Sequence, residues 1–135
     1  MLALTVSQPY ASMIDRGEKW IENRRWETKY RGPLAIHAGK GTQYLTGREL
    51  AAYPQGVLCV CNLVACFRLA QLDRLGDRLS SIGLTVEDVL QHEHAEGPWC
   101  WVLQDVRRLR KPYLCRGAQG LWRLELSQEL EFAET

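Results

Sequence analysis

Ser7-Gln8-Pro9-Tyr10-Ala11-Ser12-Met13-Ile14, followed by Gly17-Glu18-Lys19-Trp20-Ile21-Glu22-Asn23-Arg24, is the stretch whose reading decides the fold. Proline suits the first turn of a helix because the N–H it lacks has no partner there. Tyr10, Ala11, Met13 and Ile14 then make an apolar stripe that stops at Gly17, a suitable C-terminal cap. A helix is expected from about Pro9 to Arg16. Beyond Gly17 the chain alternates imperfectly, with Lys19, Ile21, Asn23 and Arg25 on one side and Trp20, Glu22, Arg24 and Trp26 on the other. Side chains of a strand point to opposite faces in turn, so Glu22 and Arg24 share a face. Lys19 lies beside the Gly17 turn, where the alternation need not hold.

Outward from this segment, short elements follow one another. Leu2, Leu4 and Val6 alternate as a first strand. Arg31-Gly32-Pro33 is a turn, and Leu34-Ala35-Ile36-His37-Ala38 a strand closing on Gly39-Lys40-Gly41. Thr46 to Tyr53 reads as a short helix stopped by Pro54 and Gly56. Val57 to Phe67 is apolar on both faces apart from Asn62, as in a strand buried on each side. Leu72, Leu75 and Leu79 have helical spacing, and Thr85 with Asp88 has the outline of a capping box. Trp99 to Leu103 is strongly β-prone, Val106 and Leu109 extend it, and Pro112 is expected to break it. Leu121 to Leu126 alternates as a last strand, and the acidic tail from Ser127 is expected to fray. With no repeat or linker, the expectation is one domain over residues 1–126 and a tail over 127–135.

The chain has 135 residues, 46% apolar and 24% charged, which excludes disordered and fibrous classes. No apolar run approaches the ~20 residues of a membrane helix, and Met1 to Val6 lacks the basic start of a signal peptide, so a cytoplasmic, membrane-free protein is expected. Cys59, Cys61, Cys66, Cys100 and Cys115 show no CxxC and no zinc spacing with the histidines. They read as reduced core residues, with no metal. The net charge of +1 excludes a strongly basic whole-molecule field, yet residues 16–31 and 107–116 are locally basic.

Gly17, Lys19, Glu22 and Arg24 match G-x-K-x-x-E-x-R, the signature of the ASCH domain, which this segment resembles. Ser7-Gln8-Pro9-Tyr10-Ala11-Ser12, Arg31 to Ala38, and Gly97-Pro98-Trp99-Cys100-Trp101 with Gly117 to Trp122 resemble further segments of that family, in its order. The resemblance implies an α+β fold, a PUA-like β-barrel with short helices covering one opening. It also implies a cleft lined by the signature and roles tied to RNA, with protein partners in RNA metabolism. Some members are ribonucleases and some are amidohydrolases acting on acylated cytidine. In the latter the position of Glu22 is a threonine nucleophile, so that chemistry does not transfer unchanged.

Lys19 is the first candidate: an ammonium in a cleft binds phosphate as a point charge or serves as a base when burial lowers its pKa. Glu22 and Arg24 can pair, with the guanidinium offering a planar fork to phosphate or a base edge; Glu22 is alternatively a general base. Ser7, Gln8 and Tyr10 cluster where helix N–H groups suit an anion, although Ser7 is equally well read as a cap. Trp101 is assigned to a stacking wall for a base. His37, Lys40 and Arg116 are expected at the same mouth. No Ser-His-Asp order, phosphate loop or cofactor motif is present. The leading expectation is a monomeric module binding RNA or a nucleotide-like ligand without a cofactor; the alternative is a hydrolase of the same fold, a metal-independent ribonuclease or an amidohydrolase on a nucleoside such as N4-acetylcytidine.

Overall fold

A computed structural model describes residues 1–40 and 53–134. Its strands are β1 (Leu2–Val6), β2 (Ile21–Arg24), β3 (Gly32–Ala38), β4 (Gly56–Arg68), β5 (Trp99–Tyr113) and β6 (Leu121–Arg123). The helices are α1 (Tyr10–Asp15), a 3₁₀ turn over Leu69–Arg74, α2 (Gly76–Ser80) and α3 (Val86–Gln91). One mixed sheet runs β2-β5-β4-β3-β1-β6, with β1 parallel to β3 and antiparallel to β6, and β2 antiparallel to β5. The α+β class expected from the sequence is the one observed. The short helix expected over 46–53 falls almost entirely outside the described residues.

The chain divides into two compact units: Met1–Lys19, Pro33–Asn62 and Asp105–Thr135 in the first, Trp20–Gly32 and Leu63–Gln104 in the second. In the first unit Ala3, Ala35, Val57, Val60, Leu109 and Leu124 form one core cluster. Pro112 does not end β5, because it lies one residue from the strand's end, where a missing N–H is tolerated. The tail is not frayed: Arg110 N–H donates to the Glu131 carbonyl at 2.8 Å and Ala133 N–H to that of Arg108 at 2.8 Å. The alternation of Leu121–Leu126 overstates β6, which ends at Arg123.

In the second unit Ile21, Phe67, Leu72, Leu75, Leu79, Val89, Cys100 and Val102 pack together. The expected leucine spacing therefore does face a core. The capping box is present at α3, where Thr85 N–H donates to Asp88 Oδ2 at 2.8 Å and Asp88 N–H to Thr85 Oγ1 at 3.1 Å. Leu79 is 1% exposed. Leu79→Ala should therefore cost about 2–5 kcal/mol in urea unfolding, the range for emptying a packed leucine site; a cost below about 0.5 kcal/mol would show that the cluster is not packed as described.

Candidate functional site

The signature begins in the first unit, where the chain leaves α1. Gly17, with φ 78°, adopts the left-handed conformation that closes the helix. Its N–H reaches the Ile14 carbonyl at 3.0 Å, and the N–H groups of Glu18 and Lys19 both donate to the Met13 carbonyl. This places Lys19 inside, at 3% exposure, with Nζ 5.9 Å from the centroid of the Tyr10 ring. An ammonium so buried is retained only where its charge is compensated, and the π face of Tyr10 supplies part of that compensation.

Glu22 and Arg24 lie on β2 in the second unit. The pairing Ile21↔Val102, Glu22↔Trp101, Asn23↔Cys100 and Arg24↔Trp99 puts Ile21, Asn23, Cys100 and Val102 on one face and Glu22, Arg24, Trp99 and Trp101 on the other. Glu22 Oε2 accepts from both Nε and Nη2 of Arg24, at 3.1 and 2.8 Å. Glu22 is buried at 8% exposure, and this two-point contact holds the guanidinium plane against it.

Trp101 is fully buried, so it offers no stacking face to a base. Its indole N–H donates to the Trp26 carbonyl at 3.3 Å, and the two rings meet edge to face at 4.8 Å. Trp26, at 38% exposure, is the aromatic that reaches solvent here. Nor does reading the signature's charged positions reveal Asn23, whose Nδ2 donates to the His94 carbonyl while Oδ1 accepts from Glu96 and Gly97 N–H. Strand alternation, which opposes Asn23 to Glu22, is the signal that identifies it as a latch on the segment before β5.

The remaining candidates lie in the first unit. Gln8 is buried and its amide is occupied: Nε2 donates to Ser12 Oγ at 2.9 Å and to the Pro54 carbonyl at 2.8 Å, and Oε1 accepts Ser12 N–H at 2.9 Å. Gln8 therefore caps α1 from outside, and the Ser7 carbonyl accepts Ala11 N–H at 3.2 Å. His37 is buried, with Nε2 2.9 Å from the Cys115 carbonyl and Nδ1 3.2 Å from Thr5 Oγ1. A carbonyl only accepts, so Nε2 donates to it, while Nδ1 is paired with Thr5 Oγ1, which also accepts the Trp122 indole N–H at 3.1 Å. These bonds tie Gln8 to α1 and His37 to β1 and the chain at Cys115. Lys40 and Arg116 are exposed.

Of the basic run 107–116, Arg108 pairs with Asp15 at 3.0 Å and Arg107 stacks on Phe132 at 3.9 Å. Burial pushes the Cys61 thiol up to about 12 and raises Cys59 further, so both are protonated core side chains at neutral pH. Among the described residues no group of three His, Cys, Asp or Glu side chains has the arrangement of a metal site. No helix among them is long and apolar enough to cross a membrane.

The model of the ASCH domain matches residues 4–113. The chain is also similar to activating signal cointegrator 1 of Homo sapiens, 24% identical over 139 residues that cover 90% of this chain. It spans 22% of the length of that relative.

A Cβ on Gly117 would lie 2.6 Å from Cε1 of His37 and 2.6 Å from Thr5 Oγ1. Gly117→Ala should therefore destabilise the protein by about 1–3 kcal/mol in thermal or urea unfolding, as overpacking does. An unchanged midpoint would remove His37 from beneath this glycine.

Proposed function

This chain belongs to the ASCH domain family, and on that premise we propose that it binds RNA or a nucleotide-like ligand through Lys19, Glu22 and Arg24. The observation that carries the reading is the state of the three signature charges. Lys19 and Glu22 are buried, and Arg24 is held in plane by Glu22. Burying charge is costly, and a fold that tolerates it in consecutive signature positions has use for it. A guanidinium fixed in plane by a carboxylate presents its donors to a phosphate or a base edge with little rotamer entropy left to lose. Trp26 is the aromatic suited to stack a base in the second unit, in the role the sequence assigns to Trp101. The same reading expects a cytoplasmic monomer that needs no cofactor.

The engagement of Glu22 Oε2 by two guanidinium nitrogens favours binding over general-base catalysis, because that oxygen is occupied in holding Arg24. Lys19→Met keeps the volume of the buried stem and removes the charge; Glu22→Gln removes the group that orients Arg24. Loss of a charge-assisted bond of about 1.5–3 kcal/mol should weaken binding by about tenfold or more in each variant. Anisotropy of a fluorescein-labelled hexauridylate reads the affinity, and hydrolysis of RNA and of N4-acetylcytidine is assayed in parallel. The reading predicts binding without turnover in the wild type. Wild-type turnover that falls by about 10²–10⁴ in Glu22→Gln at constant affinity would contradict it and make Glu22 a general base.

A further inference from the structure

Beside the Glu22–Arg24 face, within the second unit, lies a cleft of about 410 Å³ that the signature does not include. Lys29, Arg31, Arg68 and Arg78 line it, with Trp99 at one wall and Glu27 as the one acid among its lining residues. None of the four cations has an ion-pair partner among the described residues. Concentrating like charges in a concavity raises the local potential, and the one carboxylate of the lining, Glu27, leaves the four cations in excess. The floor is apolar, formed by buried Cys66, Phe67 and Leu75. These three give an anion no hydrogen bond from below, so its recognition falls to the rim.

Two of the guanidiniums are already positioned. Arg31 Nη1 donates to the carbonyls of Thr28 at 2.9 Å and Tyr30 at 2.8 Å, which anchors that side chain by one corner. Arg68 lies over the Trp99 ring, its central carbon 5.4 Å from the centroid. Positioned cations lose little freedom on binding, and a fork of N–H donors suits the paired oxygens of a phosphodiester. Trp99 is also the cross-strand partner of Arg24. The two surfaces therefore share a residue, Trp99, which pairs with Arg24 across the strands and lies under Arg68.

We propose that the Lys29, Arg31, Arg68 and Arg78 cleft binds the phosphodiester next to the nucleotide held at Glu22 and Arg24, so that the ligand of this face is an RNA strand of two or more nucleotides rather than a free nucleoside. The inference rests on the reading of the signature given above and names its substrate class.

The test compares two probes, labelled hexauridylate and cytidine 5′-monophosphate, across wild type, Arg24→Gln and the double variant Arg68→Gln/Arg78→Gln. Arg78→Glu alone serves as the second variant, since Arg68 also packs on Trp99 and its loss can disturb folding. The double variant should bind hexauridylate at least tenfold more weakly and show a salt slope shallower by about 0.7–1.4, the release expected for one or two single-strand phosphates. Its affinity for cytidine 5′-monophosphate should stay within about twofold, the scale of an untouched subsite. Arg24→Gln should weaken both probes. Wild-type affinity and slope for hexauridylate in both cleft variants, with Arg24→Gln impaired, would overturn the cleft and leave the signature reading standing. A wild type that binds neither probe would overturn both.

Discussion

Burial of Ile21 governs this site. Ile21 is fully enclosed in the cluster with Cys100 and Val102, and a strand has only two faces. Once Ile21 points into the cluster, Asn23 follows it and Glu22 and Arg24 are sent to the other side, opposite Trp101 and Trp99. A slip of one residue would turn Glu22 and Arg24 into the apolar cluster and Ile21 out of it, which is why register on such a strand is strongly specified. Asn23 adds a polar lock to the same register, because its amide closes on the backbone of His94, Glu96 and Gly97.

The first unit shows the same economy with polar groups. Buried donors and acceptors require partners, and Gln8, Thr5, His37 and Trp122 find them in one another and in nearby backbone. The small size of Gly117 belongs to this arrangement, since a side chain there would meet the imidazole. The glutamine of the family motif bonds the first turn of α1, and the histidine bonds Thr5 and the Cys115 carbonyl.

Most of the element order was legible from the residues, because periodicity and capping are local. Gly17, the Thr85–Asp88 box, and the spacing of Leu72, Leu75 and Leu79 each carry their structural meaning within a few positions. Features that depend on distant partners were not legible. The tail over 127–134 looks like an acidic end until its backbone bonds with Arg108 and Arg110 are seen. Trp101 and Trp26 are equivalent in composition, and only the pairing of β2 with β5 decides which one is enclosed. Lys29 and Arg31 belong to a visible basic run, but their companions Arg68 and Arg78 come from β4 and α2, which no spacing rule connects to them. The signature positions themselves were legible as charged groups on a short strand and the turn before it, although not the burial of Lys19.

On the proposed reading, the charged face of β2 is a ligand surface and not merely a stabilised strand. Titration of the ¹⁵N-labelled protein with hexauridylate, followed by the backbone resonances of Glu22 and Arg24 and the indole resonances of Trp26 and Trp99, tests this most directly. Binding at this face gives saturable shifts at these groups that weaken as salt is raised. Shifts confined to other parts of the chain, with these four residues unmoved at saturation, would contradict it.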